Sequence, residues 1–127
     1  MKTEKQSAFL RWLPFIPAIL AILVFGNSLL NQYAFDDDSV IQTHKFVQEG
    51  FEGLDDIFTT PYRWGNFHYN DGLYRPFSTS MFAIEIGLFG NNPLVHHLIN
   101  VLLYALCGIF LTLLLLRWMG EERQVLV

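Results

Sequence analysis

Three consecutive aspartates, Asp36, Asp37 and Asp38, follow the first long uncharged stretch of this 127-residue chain. A carboxylate can act as a general base that takes the proton of an attacking hydroxyl group, while a neighbouring carboxylate binds a cation or orients the donor. Charge at the rim of a membrane is costly unless it is solvated, paired or used. The alternative interpretation is a solvated cap that ends a membrane span, because three adjacent acids alone are an unspecific signal.

Arg75 is a candidate for binding an anionic substrate. It is the last cation before the second uncharged stretch and precedes Pro76. A guanidinium forms bidentate hydrogen bonds with phosphate oxygens, so an arginine at the outer membrane interface suits a phosphate group. A lipid headgroup contact or a salt bridge with an acid of the same loop is the alternative.

Polar residues also occur where the second uncharged stretch begins, at His96, His97 and Asn100. A neutral histidine and an asparagine inside an apolar helix should face other protein or a water-filled cavity rather than lipid. We therefore take His97 and Asn100 as candidate substrate-binding residues. Asn100 has an alternative role as a hydrogen-bonding contact between helices.

No metal motif is evident in the sequence. His44, His68 and Asp71 lack the close spacing of a metal-binding set, and His68 is interpreted as a loop residue. A single cysteine, Cys107, forms neither an internal disulfide nor a cysteine-rich metal site. The residues thus identify no cofactor, and a divalent cation near the aspartates stays an open alternative.

Two apolar elements must position these residues. Residues 12–30 and 94–117 contain long uncharged stretches, and nineteen helical residues extend about 28 Å, close to the thickness of a bilayer core. We predict a transmembrane helix at each. The chain is 52% hydrophobic and 16% charged, which argues against an ordinary soluble domain, and its net charge of −4 argues against a nucleic-acid binder. A cleaved signal peptide is the alternative for the first stretch, but no good cleavage site follows it.

The distribution of basic residues predicts the orientation. The ends, residues 1–11 and 117–127, carry five Lys or Arg, whereas the loop 31–93 carries three together with nine acids. The positive-inside rule then places both ends in the cytoplasm and the loop outside.

The 63-residue loop is long and aromatic enough to fold. We predict a helix over roughly 40–48 that Asp38 or Ser39 caps, a helical turn at 54–58, an irregular segment over 62–74 and a juxtamembrane helix at about 77–89. Phe77, Met81, Ile84 and Leu88 share one face of that last helix, so it should lie along the outer membrane surface. A short helix buried in a larger bundle is the alternative.

The predicted fold class is therefore an all-α membrane protein in which two transmembrane helices are joined by a long outer loop with short juxtamembrane helices. Its segments are a cytoplasmic N-terminus (1–11), transmembrane helix 1 (12–30), an extracytoplasmic loop (31–93), transmembrane helix 2 (94–117) and a cytoplasmic tail (118–127). The expected location is the inner or plasma membrane of the cell.

The order and spacing of several short motifs resemble the start of the multi-spanning GT-C glycosyltransferases. The resemblance is closest to the transmembrane and tetratricopeptide-repeat O-mannosyltransferases and their bacterial relatives, and more distant to the protein O-mannosyltransferases. It extends over roughly residues 12–118. The motifs are YAFDDDSVI (33–41), YRP (74–76), LFG (88–90) with NP (92–93), and HLINVLL (97–103).

This resemblance implies transfer of a sugar, with mannose expected, from a polyprenyl-phosphate carrier to a protein or glycan acceptor outside the cytoplasm. It implies that Asp36 is the catalytic base, Asp37 its acidic neighbour and Asp38 a third member of the motif. Arg75 would contact the lipid phosphate. His97 and Asn100 match polar positions at the start of a span, whereas Tyr104 stands near a position at which relatives often have histidine.

Members of that family have many more membrane spans, and one branch adds helical repeats after them. The resemblance therefore implies that this chain is an N-terminal fragment that is inactive alone and needs the remaining helices as partners. A small two-span membrane protein whose acidic loop binds a partner without catalysis is the alternative. The identities of the sugar and the acceptor do not follow from the sequence.

Overall fold

The computed structural model describes residues 12–68, 70 and 72–125, and every regular element within this part of the chain is helical. The predicted N-terminal segment 1–11 and the last two residues of the predicted tail 118–127 lie outside the described residues. The α-helices are α1 (Phe15–Phe25), α2 (Lys45–Gln48), α3 (Leu54–Thr59), α4 (Trp64–Phe67), α5 (Pro76–Phe89) and α6 (Pro93–Val125). Gly26–Leu30 and Gly50–Gly53 are 3₁₀-helical, and Asp38–Gln42 is π-helical.

The chain divides into two compact units. The described parts of Met1–Leu29 and His97–Val127 form one, which we call the apolar unit, and Leu30–His96 form the other, which we call the loop unit. The predicted outer loop, 31–93, thus nearly coincides with a compact unit of its own. The all-helical fold class is confirmed for the described residues.

One helix among the described residues is long and apolar enough to cross a membrane, and it is the 28-residue segment Pro93–Gly120 of α6. The first apolar stretch is shorter, because it is helical over Phe15–Leu30. Pro14 precedes α1 and supplies no N–H, and the backbone tightens to a 3₁₀-helix from Gly26. A helix is present at both predicted positions, while a second membrane span stays a prediction.

The helices of the apolar unit approach closely at two points. A Cβ atom added to Gly108 would lie 3.0 Å from Pro17 Cβ. The rings of Phe25 and Tyr104 stack with their centroids 5.0 Å apart. Most large apolar side chains of α1 and α6 are nevertheless exposed, as a surface that faces lipid or further helices requires.

The loop unit has its own hydrophobic core. Its buried members come from the π-helical segment, α2, α3 and α5, and they are Val40, Ile41, Phe46, Val47, Ile57 and Ala83. The half-buried aromatic rings of Tyr33, Trp64 and Phe82 pack against this cluster. Burial of these side chains removes apolar area from water and so supplies the driving force for folding of the unit.

The predicted helix over 40–48 and its cap are wrong in detail. The chain forms the π-helical segment Asp38–Gln42 and then α2, and the Asp38 carbonyl accepts from the Thr43 N–H at 2.9 Å. Neither Asp38 nor Ser39 caps a helix with its side chain. The cap of α2 is His44, whose Nδ1 accepts from the Val47 N–H at 3.3 Å.

The remaining elements of the loop unit follow the sequence more closely. The turn expected at 54–58 is α3, and the described residues of the segment 62–74 are irregular apart from the single turn of α4. The helix predicted at about 77–89 is α5, which begins at Pro76 and ends at Phe89.

Helix α5 buries small residues and exposes large ones. Thr79, Ser80 and Ala83 face the core, whereas Phe77 is 79% and Leu88 61% exposed. The predicted apolar face is therefore available for a membrane surface, and the opposite face is buried in the loop unit. The location of α5 on the outer membrane surface stays a prediction.

Candidate functional site

The acidic motif lies on a tight turn between the 3₁₀-helix Gly26–Leu30 and the π-helical segment. Phe35 has a left-handed backbone with φ of 47°, and the Asp37 N–H donates to the Ala34 carbonyl at 3.1 Å. The Asp37 carboxylate accepts from the Ala34 N–H at 3.1 Å, so it helps to hold the turn. The Asp36 side chain is 85% exposed and is free to meet a substrate.

Arg63 is the cation beside this motif. Its Nη2 lies 3.5 Å from Asp36 Oδ1. An ion pair at so exposed a carboxylate adds little stability, but the guanidinium orients the carboxylate and supplies positive charge next to it. The sequence does not mark Arg63 as a site residue, because it lies 27 positions after Asp36 and the two share no local pattern.

Hydrogen bonds also hold the backbone that follows the aspartates. Asn66 donates through Nδ2 to the Ser39 carbonyl at 3.1 Å and to Thr43 Oγ1 at 2.8 Å. Ser39 Oγ donates to the Asp36 carbonyl at 3.0 Å. The backbone that carries the motif is thus tied to the segment at Trp64–Phe67.

A second set of polar side chains begins at Tyr33, just before the aspartates. Tyr33 Oη and His96 Nδ1 are 3.1 Å apart, and His96 Nε2 lies 3.7 Å from Glu85 Oε2. The side chains of His96 and Glu85 are almost fully buried. The sequence marks His96 only as a polar residue at the start of an apolar stretch, and it does not indicate the contacts with Tyr33 and Glu85.

Burial changes the ionisation of two of these groups. It raises the pKa of Glu85 from 4.5 to about 7, because the charged carboxylate loses its hydration. Burial, together with the negative charges of Asp37 and Glu85, raises the pKa of Tyr33 to about 12. Tyr33 is therefore a neutral phenol near neutral pH, able to donate a hydrogen bond.

The other predicted residues are Asp38, which belongs to the acidic motif, and Arg75, His97 and Asn100. The Arg75 guanidinium lies over the Tyr62 ring, with Cζ 5.4 Å from its centroid, and the Asp38 side chain is exposed. His97 and Asn100 belong to the apolar unit, where His97 is half-buried and Asn100 exposed. Arg75 is thus anchored by a cation–π contact in the loop unit rather than by one of the aspartates.

The described residues contain no group of three or more His, Cys, Asp or Glu side chains placed to hold a metal ion. The chemistry that the turn itself offers is that of an exposed carboxylate beside a guanidinium. Such a pair can accept a proton from a hydroxyl group while the cation attracts an anionic reactant.

Two curated proteins of mouse are similar to this chain. Protein O-mannosyl-transferase TMTC2 of Mus musculus is 29% identical over 108 residues, which are 75% of this chain and 12% of that protein. Protein O-mannosyl-transferase TMTC1 of Mus musculus is 31% identical over 100 residues, which are 70% of this chain and 10% of that protein. The human TMTC2 matches as the mouse one does, with 29% identity.

The chain therefore spans about a tenth of the length of the curated relatives it matches. No protein-family model matches it, and neither does any solved structure. The similarity supports a distant relation to O-mannosyl-transferases, in agreement with the resemblance seen in the sequence motifs.

Proposed function

We propose that this chain supplies the acidic motif of a membrane glycosyltransferase of the GT-C type. The enzyme transfers a sugar, mannose by analogy with the names of its relatives, from a polyprenyl-phosphate carrier to a hydroxyl group of a protein or glycan. The observation that carries the proposal is the exposed Asp36 carboxylate, held on an ordered turn beside Arg63. The partial similarity to two O-mannosyl-transferases supports the reaction class.

In the proposed reaction, Asp36 accepts the proton of the acceptor hydroxyl as its oxygen bonds to the anomeric carbon of the sugar. The bond from that carbon to the phosphate oxygen breaks, and the lipid phosphate leaves with the electron pair. Asp37 holds the turn through its bond to the Ala34 N–H. Arg63 directs the Asp36 carboxylate through their ion pair.

The remaining predicted residues act in substrate binding. Arg75 would contact the lipid phosphate with the edge of its guanidinium, since the face of this group lies over Tyr62. Asp38, His97 and Asn100 keep their proposed roles in binding substrate. The reaction would take place on the outer side of the membrane, with both ends of the chain in the cytoplasm.

Replacement of Asp36 by asparagine tests the proposal. The change keeps the size of the side chain and removes the base, so transfer should fall at least about 100-fold, within the range of general-base catalysis. The measurement is transfer of labelled mannose from polyprenyl-phosphate mannose to endogenous acceptors in membranes that contain the full-length enzyme.

The matched control is Asp55→Asn, which neutralises another exposed aspartate of the loop unit on α3. This variant should transfer mannose at the wild-type rate. Equal expression with undiminished transfer by Asp36→Asn would overturn the assignment of the base. Such a result would favour a non-catalytic, partner-binding role for the acidic loop.

A further inference from the structure

Asn66 ties the backbone after the aspartates to the loop unit, and the backbone before them needs an anchor of its own. Phe35 is fully exposed and Asp36 nearly so, and the bonds within the turn fix its shape but not its position on the unit. Tyr33 is the side chain just before the motif that reaches inward, where its ring packs against the core cluster. Its hydroxyl group meets a residue 63 positions later in the chain, His96.

His96 is itself firmly held. Its ring is 2% exposed, and the centroids of the Tyr33 and Phe82 rings lie 5.6 and 5.8 Å from its own. Its Nε2 points towards Glu85 Oε2 at 3.7 Å. A histidine packed against two aromatic rings has little freedom to turn, so its Nδ1 is held in a fixed position beside the Tyr33 hydroxyl group.

Burial of the Glu85 carboxyl group costs free energy of folding. Glu85 is 6% exposed, although it lies about 160° around the axis of α5 from Ala83 and so is not on the face that packs on the core cluster. A buried carboxyl group destabilises a fold unless it interacts with a polar partner, and packing alone would be satisfied by an apolar residue of similar size. Among the described residues Glu85 Oε2 accepts no hydrogen bond, and its 3.7 Å approach to His96 Nε2 is a close polar contact that partly offsets the cost of burial.

We propose that Tyr33, His96 and Glu85 are positioning residues for the proposed base. The Tyr33 hydroxyl donates to His96 Nδ1, Glu85 favours the proton on Nε2, and the turn that carries Asp36 is thereby fixed to α5 and the first turn of α6. This inference rests on the proposed function of Asp36. The raised pKa of Tyr33, about 12, supports the donor role of its hydroxyl group.

The test compares two tyrosine variants in the mannose-transfer assay. Tyr33→Phe keeps the packed ring and removes the bond to His96, so kcat should fall about 10- to 100-fold, as for a misplaced catalytic group. The KM for the polyprenyl-phosphate donor should stay within about twofold, because Tyr33 acts on the base and not on the donor. Tyr74→Phe is the matched control, since it removes a hydroxyl bond to the Phe58 carbonyl in the same unit and should leave kcat unchanged.

A pair of histidine variants provides a second test. His96→Asn retains an acceptor near the position of Nδ1 and should keep kcat within about threefold of wild type, whereas His96→Leu should lose as much as Tyr33→Phe. A higher kcat for His96→Asn than for His96→Leu would show that the hydrogen bond, and not only the packing volume of the side chain, is required.

The inference is overturned if Tyr33→Phe has wild-type kcat, if Tyr74→Phe loses as much, or if His96→Asn and His96→Leu lose equally. Asp36→Asn is measured beside these variants. Wild-type transfer by Asp36→Asn overturns the proposed base itself, whereas loss by Asp36→Asn with wild-type kcat for Tyr33→Phe overturns only the positioning role.

Discussion

At the scale of single residues, the loop unit contains two buried groups with opposite ionisation behaviour. Burial raises the pKa of Glu85 to about 7 and lowers that of His44, so the folded state favours the neutral form of each. Both ring nitrogens of neutral His44 form hydrogen bonds. Nδ1 accepts from the Val47 N–H, and Nε2 donates to the Tyr62 carbonyl. Ionisation of either group favours the unfolded chain. The free energy of unfolding therefore falls when Glu85 loses its proton as the pH rises, and when His44 gains one as the pH falls.

We expect the Glu85 effect to appear as a pH-dependent difference between wild type and Glu85→Gln. The folded state keeps the Glu85 proton up to a pH of about 7, whereas the unfolded chain releases it near 4.5. Stability should thus decline as the pH rises from 4.5 to 7, by at most about 3 kcal/mol. Glutamine is neutral throughout and should remove this decline. Thermal unfolding of the purified protein in detergent at pH 5 and pH 8 measures it.

His44 titrates in both proteins, so its contribution cancels in the difference between wild type and Glu85→Gln. The same change in melting temperature between pH 5 and pH 8 for the two proteins would show that Glu85 is not buried as a neutral acid.

The position of the aspartates could be predicted from the sequence, and their surroundings could not. Asp36 follows directly after an apolar stretch, which is a local pattern. Its partner Arg63 is 27 residues away, and Tyr33 meets His96 across 63 residues. Such contacts depend on how helices pack, and one sequence does not specify that packing through spacing alone.

At the scale of elements, close backbone packing holds the small helices of the loop unit together. Gly53 ends the 3₁₀-helix Gly50–Gly53, and a Cβ atom at this position would overlap the backbone of Phe46 in α2. Backbone cannot move aside as the end of a flexible side chain can. The glycine is therefore required by packing, although its own φ of −80° suits any residue.

Replacement of Gly53 by alanine should destabilise the loop unit by about 1–3 kcal/mol, the cost of overpacking a core. The measurement is the melting temperature of the purified protein. Gly26→Ala is the matched control, because its backbone is also helical and no atom lies within 4 Å of the added Cβ. Equal melting temperatures for the two variants would show that α2 and the 3₁₀-helix are not packed as described.

The longer elements were the ones that the sequence predicted well. Helix α5 has Pro76 in its first turn and Gly90 just after its end, and the pattern of 77–89 located it within one residue. The split of 40–48 into a π-helical segment and α2 was missed, because His44 is not a usual capping residue. The cap forms here because the core buries the His44 ring against Gly65, where little room exists for a larger residue.

At the scale of the whole molecule, the charges are separated along the chain. The loop 31–93 has nine acids and three Lys or Arg, and the ends have the other five Lys or Arg. Helix α6 contains a segment that can cross a membrane. These two facts make the orientation of the chain directly testable.

We expect the loop unit outside the cell and the end of α6 inside. With Cys107 replaced by serine, a single cysteine is introduced by Asp55→Cys or by Met119→Cys, both exposed positions. A membrane-impermeant maleimide should label the Asp55→Cys protein on intact cells, and the Met119→Cys protein only after permeabilisation. The reverse pattern would contradict the positive-inside assignment.

The long span between Tyr33 and His96 also has a consequence for biosynthesis. A ribosome adds about 5–20 residues per second, so the 63 residues from Ala34 to His96 take about 3–13 s to synthesise. Ala83 and Glu85, which complete the core and the second set of polar side chains, likewise follow the acidic motif by more than 40 residues. The aspartates are thus synthesised early. The contact between Tyr33 and His96 can form only after the nascent chain has extended through the start of α6.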